Sequence, residues 1–123
     1  RPPRSTLFPY TTLFRCSALS YGVLKKVEIV RALANNPKLL LLDEPVAGLN
    51  GTETAEIAEI IREIAAEGVT ILLIEHDMKM IMNISDFITV VNFGKKLAEG
   101  TPKEIASNPE VIKAYLGEGS LHA

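Results

Sequence analysis

The sequence has little of what marks secreted, membrane-spanning or nucleic-acid-binding proteins. Its single cysteine, Cys16, can form no internal disulfide and supplies no metal cluster, which fits a reducing cytosolic compartment. Apolar runs such as 39–42 and 71–74 are far shorter than the roughly 18 residues of a membrane span. The net charge of -2 gives no basic bias toward nucleic acid. We therefore expect no nucleic-acid partner, no direct membrane insertion, and membrane association only through another protein.

The first segment differs from everything that follows it. Residues 1–16 contain prolines and arginines but show neither helical nor strand periodicity. They also lack the apolar core and the small-residue cleavage site of a signal peptide. The segment resembles translated cloning or sequencing-adapter sequence. We expect a non-native or disordered leader over 1–16 and one domain portion over 17–123.

Five helices are indicated by capping residues and apolar spacing. The first runs from Ser20 to about residue 34, and three of its residues fall at helical spacing: Leu24, Val27 and Arg31. The second covers about 52–67 and carries an i, i+3, i+4, i+7 stripe: Ile57, Ile60, Ile61 and Ile64. A short third helix follows the cap Asp77. Capping signals at Thr101 and Asn108 predict the last two, and the final helix is expected to end at Gly117.

Strands are predicted between these helices. The runs 39–43 and 69–74 are almost entirely apolar, a pattern typical of strands buried on both faces of a parallel sheet. Residues 87–92 and 95–99 indicate a hairpin around Gly94. Alternation of helices and strands with short connections predicts an α/β layered fold.

Polar side chains follow the two buried strands. Asp43 and Glu44 end the first strand, and His76 comes just after the second. The carboxyl ends of parallel strands face the ligand crevice of α/β proteins. Two adjacent carboxylates there provide one group for a hydrated magnesium ion and one that can take a proton from water. Taken alone, the two carboxylates are equally compatible with a pair that only solvates a turn. His76 taken alone is also compatible with an ordinary surface or capping histidine.

Several such pieces occur in a fixed order. Leu-Ser-Tyr-Gly at 19–22, Leu-Leu-Leu-Leu-Asp-Glu-Pro at 39–45, Ala-Gly-Leu-Asn at 47–50 and Ile-Glu-His-Asp at 74–77 follow one another along the chain. Together they resemble the signature motif, Walker B motif, D-loop and switch histidine of ABC ATPases. The resemblance runs from about residue 18 to the end. It implies the C-terminal part of a P-loop NTPase fold, three-layered with a mainly parallel sheet, here incomplete.

The resemblance implies ATP and Mg2+ as cofactors and a role for each motif. Asp43 would hold magnesium through water, Glu44 would orient or deprotonate the attacking water, and His76 would touch the γ-phosphate. Subunits of this family pack head to tail. Ser20 and Gly22 would therefore bind the ATP of a partner subunit, in a homodimer or heterodimer, and Asn50 in the D-loop would face the dimer seam.

Within the superfamily, the chain is most similar to the ATPase subunits of branched-chain amino acid importers. The similarity lies in the tyrosine of Leu-Ser-Tyr-Gly, the phrase Ala-Gly-Leu-Asn, the run 73–78 and the tail from Gly100 to Gly117. It implies ATP hydrolysis coupled to transport, with membrane permease subunits as partners. Such a subunit would be cytoplasmic and peripheral at the inner face of the membrane. The transported solute would be chosen by partner proteins.

Two departures from the family pattern affect these implications. Val23 stands where the signature usually continues with glutamine. No Gly-x-x-x-x-Gly-Lys-[Ser/Thr] occurs in the chain, so it has no loop of N–H groups and lysine for phosphates. The family strand that carries this loop lies between those at 69–74 and 87–92, so a gap in the sheet is expected there. We therefore expect a fragment that hydrolyses no ATP alone and folds marginally.

Three other interpretations remain open at this point. An ABC ATPase outside transport would serve translation or DNA maintenance, but the transport-like tail after Gly94 argues against it. A phosphoacceptor receiver domain also carries acidic residues at strand ends, yet it needs a lysine after a later strand, and residues 90–93 offer none. The last interpretation is an inactive truncation product.

Overall fold

The computed structural model describes residues 18–116 of the chain. The predicted leader over 1–16 and the predicted helix end at Gly117 lie outside this part. The elements, in chain order, are α1 (Tyr21–Leu33), β1 (Leu39–Asp43), α2 (Gly51–Ala66), β2 (Thr70–Ile74), α3 (Met78–Ile84), β3 (Ile88–Asn92), β4 (Lys95–Gly100), α4 (Pro102–Ala106), α5 (Pro109–Val111) and a π-helical turn (Ile112–Leu116). The α/β class predicted from the sequence is confirmed.

The strands form two separate pairs. β1 and β2 are parallel, with Leu39 opposite Thr70 and Asp43 opposite Ile74. β3 and β4 form the predicted antiparallel hairpin, with an irregular register between Val90 and Val91. Within residues 18–116 no hydrogen-bonded ladder joins β2 to β3. The gap predicted between these two strands is therefore present.

The main core lies on one face of the β1–β2 pair. Three isoleucines of the predicted stripe on α2, Ile57, Ile61 and Ile64, are buried there against Leu40 and Leu42. Burial of such an apolar helix face against a sheet is the chief stabilising term in this kind of layered structure. α1 contributes Ile29, which is 3% exposed, whereas Val27 is 43% exposed and Arg31 also faces outward. α1 therefore packs on the core through Ile29 and not through Val27 or Arg31.

The opposite face of the β1–β2 pair is open, so the expectation that both faces are buried is wrong for the described residues. Leu39, Leu41, Leu72 and Ile74 are each more than half exposed. Side chains alternate between the faces of a strand, and the core on the other face is built with residues of α1, α2 and α3. The apolar run correctly predicted strands, but its second apolar face has no cover in this part of the chain.

A second core joins α3, the hairpin and the C-terminal helices. Its buried residues are Ile81, Ile88, Val90, Ile105 and Val111. Leu73 of β2 packs against both cores, which links them. The predicted last helix differs from expectation: after three α-helical residues it widens into the π-helical turn. In this turn the Tyr115 hydroxyl donates a hydrogen bond to the Val91 carbonyl oxygen of β3, a contact that a capping signal at Asn108 does not encode.

Candidate functional site

The end of β1 is held against the end of β2 by one further hydrogen bond. The Glu44 N–H donates to the Ile74 carbonyl oxygen at 2.8 Å, one residue beyond the last paired position. Glu44 has a φ of 46°, in the left-handed region that non-glycine residues rarely adopt. Its carbonyl oxygen accepts from the Ala47 N–H at 3.2 Å, which closes a turn. The side chain of Glu44 is thereby directed by a constrained backbone.

Glu44 and His76, both predicted from the sequence as catalytic, lie together. The His76 Nδ1 is 3.4 Å from Glu44 Oε1. The side chain of His76 is 70% exposed and that of Glu44 is 52% exposed, so both can be reached by water and by a ligand. A solvated carboxylate beside an imidazole is an arrangement that can orient a water molecule and accept its proton. The parallel register is the cause, because it brings the residues that follow β1 and β2 to the same edge.

Glu75 is the second residue of the motif at 74–77, and its hydrogen bonds give it a structural role. Its side chain is only 1% exposed. One carboxylate oxygen accepts from the Val46 N–H at 3.0 Å and the other from the His76 N–H at 3.1 Å. A signal for this burial exists in the sequence: Glu75, the first residue after β2, continues the alternation of Ile71 and Leu73, and both of these pack against the core.

Two further acidic residues complete this edge. Asp43 is exposed at the last position of β1, beside Ile74. Asp77 is the predicted cap of α3, and its Oδ1 accepts from the Met80 N–H at 2.9 Å. Within residues 18–116 no group of three or more His, Cys, Asp or Glu side chains is arranged to hold a metal ion. Any ion at Asp43 would therefore take most of its ligands from water or from a bound molecule.

Ser20 and Gly22 lie at the start of α1. Ser20 is the predicted N-cap, and its side chain accepts from the Val23 N–H at 3.4 Å. Gly22 is buried against α2: a Cβ at this position would stand 2.7 Å from the Glu53 Oε1 atom. Gly22 therefore leaves room for the Glu53 side chain in its observed position.

Asn50 caps α2 in a reciprocal arrangement with Glu53. The Asn50 Oδ1 atom accepts from the Glu53 N–H at 2.9 Å, and the Glu53 Oε2 atom accepts from the Asn50 N–H at 3.1 Å. Such a capping box satisfies two backbone donors that a helix start leaves without partners. The predicted D-loop residue thus has a structural role that the motif alone did not indicate.

The six predicted site residues fall into two groups. Asp43, Glu44 and His76 lie at the ends of the parallel strands, whereas Ser20, Gly22 and Asn50 lie at the starts of α1 and α2. Among the hydrogen bonds and ion pairs of residues 18–116, none joins one group to the other. The two groups are therefore not joined by direct polar contacts within the described residues.

Comparison with known proteins supports the family resemblance that the motifs indicate. Residues 6–47 match a family described as ABC transporter, and residues 95–120 match one described as branched-chain amino acid ATP-binding cassette transporter. The high-affinity branched-chain amino acid transport ATP-binding protein BraF of Pseudomonas aeruginosa is 54% identical over 101 residues, which make up 81% of this chain and 40% of BraF. The chain belongs to the ABC transporter ATP-binding family.

Other members of the family give the same result. The LivG protein of Escherichia coli, with the same description as BraF, is 54% identical over 105 residues, or 85% of this chain and 41% of LivG. A solved ADP conformation of an ATP-binding cassette of an ABC transporter superposes with a TM-score of 0.73 at 39% identity, covering 81% of this chain and 41% of that one. The chain spans about two fifths of the length of these relatives.

Two features of this chain fit the nucleotide and magnesium that are typical of the family. Magnesium usually keeps several waters and is bound by one or two carboxylates together with substrate phosphates, and the exposed carboxylate of Asp43 suits this kind of binding. The 13-residue helix α1 follows its N-cap Ser20, and the N–H groups and positive dipole end of such a helix start favour a phosphate. None of the helices over 18–116 has the length and apolar character needed to cross a membrane.

Proposed function

We propose that this chain supplies the hydrolytic and dimer-contacting part of the ATPase subunit of an ABC importer for branched-chain amino acids. The observation that carries the proposal is the contact of Glu44 with His76 at 3.4 Å, at the joined ends of two parallel strands. The identity of 54% to BraF supports the assignment to this class of importer.

In the proposed reaction each residue at the strand ends has one task. Asp43 would hold a magnesium ion through water, and such an ion would neutralise charge on the phosphates when bound. Glu44 orients the attacking water and accepts its proton, since its carboxylate is exposed and its backbone is fixed. His76 senses the terminal phosphate and, through its contact with Glu44, makes the position of the base depend on that phosphate.

Ser20, Gly22 and Asn50 serve the nucleotide of a second ATPase subunit. This role in trans is supported by their separation into a group without hydrogen bonds to Glu44 or His76 among the described residues. The start of α1 offers the partner's phosphates the Ser20 hydroxyl, the backbone N–H groups of its first residues and a positive helix end. Asn50 places the D-loop at the seam between the two subunits.

Coupling to transport requires proteins that this chain must contact. We infer that the ATPase dimer lies on the cytoplasmic side of the membrane and is held there by permease subunits. The match of residues 95–120 to the branched-chain amino acid cassette family supports this importer class. The solute itself is selected by those partner proteins.

ATP binding requires a phosphate loop in addition to these residues. The 123 residues contain no Gly-x-x-x-x-Gly-Lys-[Ser/Thr], so the chain has no lysine and N–H nest for the β- and γ-phosphates. We expect calorimetry of the chain by itself to detect no ATP binding above background. Micromolar affinity would contradict the need for this loop.

The decisive experiment uses a chimera in which residues 18–123 replace the corresponding C-terminal part of BraF, which supplies the phosphate loop. The chimera is expected to hydrolyse ATP. Replacement Glu44→Gln should lower turnover by at least about a hundredfold while leaving ATP binding intact, as for the loss of a general base. Glu63→Gln, an exposed carboxylate on α2, is the matched control and should leave turnover unchanged. Retained turnover in Glu44→Gln would exclude Glu44 as the base.

The importer assignment has its own test. The chimera is introduced into Pseudomonas aeruginosa that lacks BraF, and uptake of labelled leucine is measured. We expect the chimera to restore leucine uptake and the Glu44→Gln variant of the chimera to restore none. An active ATPase that restores no uptake would favour an ABC ATPase of another system, such as the lipopolysaccharide export protein LptB of Haemophilus influenzae, which is 39% identical over 101 residues.

A further inference from the structure

We propose that Glu75 is a positioning residue for hydrolysis: its buried carboxylate sets the separation of the Glu44 turn from His76. The inference rests on the proposed ATPase function, because only that function assigns chemistry to Glu44 and His76. It starts from the two hydrogen bonds of Glu75, one to the Val46 N–H and one to the His76 N–H.

The burial of Glu75 makes these bonds strong determinants of geometry. A carboxylate that is 1% exposed has lost most of its water and must be compensated by donors within the protein. The Val46 and His76 amides provide that compensation, one to each oxygen, and hydrogen bonds to a charged acceptor are stronger than neutral ones. Moving either amide away would leave a buried charge partly unsatisfied, so the protein resists such movement.

The bond to Val46 acts on Glu44 through a short piece of chain. Pro45 separates the two residues and has no N–H, so Val46 is the first residue after Glu44 that can donate from its backbone. Glu44 has a φ of 46°, a conformation that must be maintained by its surroundings. Three hydrogen bonds hold this turn. The Glu44 N–H donates to the Ile74 carbonyl oxygen, the Ala47 N–H to the Glu44 carbonyl oxygen, and the Val46 N–H to the Glu75 carboxylate.

The bond to His76 acts on the other side of the site. Glu75 accepts the backbone N–H of His76 and thereby fixes where the imidazole leaves the chain. The His76 Nδ1 also lies 3.9 Å from the same carboxylate oxygen and 3.4 Å from Glu44 Oε1. One buried carboxylate therefore holds the backbone of both segments that carry the exposed Glu44–His76 pair.

The test compares Glu75→Gln and Glu75→Ala in the BraF chimera. Gln keeps one acceptor oxygen, but its amide group cannot accept the second N–H; Ala removes both acceptors. Small displacements of reacting groups can cost about a hundredfold in rate. We expect kcat to fall about tenfold in the Glu75→Gln variant and about a hundredfold in the Glu75→Ala variant, while KM for ATP changes less than about twofold. A residue that only stabilises the fold would lower the melting temperature without this ordered loss of kcat.

Hydrogen exchange provides the readout that does not depend on activity. Faster exchange of the Val46 and His76 amides is expected in both variants, with Glu63→Gln as the control. If Glu75→Ala does not fold, Glu75→Gln decides the question. Unchanged kcat in a folded variant, or unchanged exchange at both amides, would overturn the positioning role. If the unmodified chimera hydrolyses no ATP, the proposed function fails, while the exchange data still report whether Glu75 holds the two segments.

Discussion

The ring of Tyr21 lies directly over Gly48. A Cβ built on Gly48 would stand 3.2 Å from Cε1 of the ring, closer than most real Cβ contacts. Tyr21 belongs to the signature segment at the start of α1, and Gly48 to the turn between β1 and α2. The signature segment also meets the first turn of α2, where Gly22 approaches the Glu53 side chain. The signature segment and the D-loop are thus packed against each other within one chain.

Replacement of Gly48 by alanine should destabilise the chain more than the same change at Gly68. Both glycines have a positive φ, 77° and 95° respectively, which costs an alanine about 1–2 kcal/mol. Only Gly48 has a neighbour within 4 Å, the Tyr21 ring. Chemical unfolding of the two variants measures the difference. Equal losses would mean that the Tyr21 contact contributes nothing to stability.

The two roles of Ser20 can be separated by two substitutions in the BraF chimera. Ser20→Ala removes the cap and should lower the free energy of unfolding by about 1 kcal/mol. Ser20→Asp retains a capping oxygen but places a negative charge where the partner's phosphates are proposed to bind. We expect Ser20→Asp to keep the stability of the parent and to lose most hydrolysis. If Ser20→Asp lowered ATP hydrolysis equally in enforced monomers and in dimers, the role in trans would be refuted.

The capping box of α4 makes part of the stability depend on pH. The pKa of Glu104 is lowered by the hydrogen bonds that its carboxylate accepts, first from the Thr101 N–H and then from the Thr101 hydroxyl. A lowered pKa in the folded state means that the stabilisation is present above the unfolded value, about 4.3 for glutamate, and is lost as the pH falls through the folded value. Unfolding of the parent and of Glu104→Gln should differ at pH 7 and converge in acid. A constant difference would exclude this linkage.

The hairpin turn carries a residue that opposes its conformation. Phe93 and Gly94 have φ values of 48° and 74°, and the Phe93 side chain is 96% exposed. Two consecutive positive φ angles are typical of a turn that favours Asn-Gly. Phe93→Asn should therefore raise the free energy of unfolding by about 1 kcal/mol. Phe93→Leu, which keeps the backbone penalty, is the control and should change stability little.

Local patterns were the reliable part of the prediction. β1 has the predicted bounds, and the hairpin around Gly94 is where the sequence placed it. The caps Ser20, Asp77, Thr101 and Asn108 all accept backbone hydrogen bonds, as expected. These features depend on neighbours three or four residues away, so their physical causes are contained in short windows of sequence.

Contacts between distant residues were harder to predict. The Glu44–His76 contact could be expected from strand ends that meet at one edge. The bonds from Glu75 to Val46 and from Tyr115 to Val91 could not, because each depends on a tertiary arrangement that no periodicity encodes. On the exposed face of β1 the sequence predicted a contact that is not made. Its leucines predict burial, but burial requires a covering element, and residues 18–116 do not contain one.

That open face has a practical consequence for work with the 123-residue chain in solution. Leu39, Leu41, Leu72 and Ile74 present adjoining apolar side chains on two paired strands. Apolar patches of this kind favour self-association, and a species that associates has a melting temperature that rises or falls with its concentration. A thermal midpoint is therefore meaningful only as part of a dilution series, and the monomer's own stability is the value approached at infinite dilution.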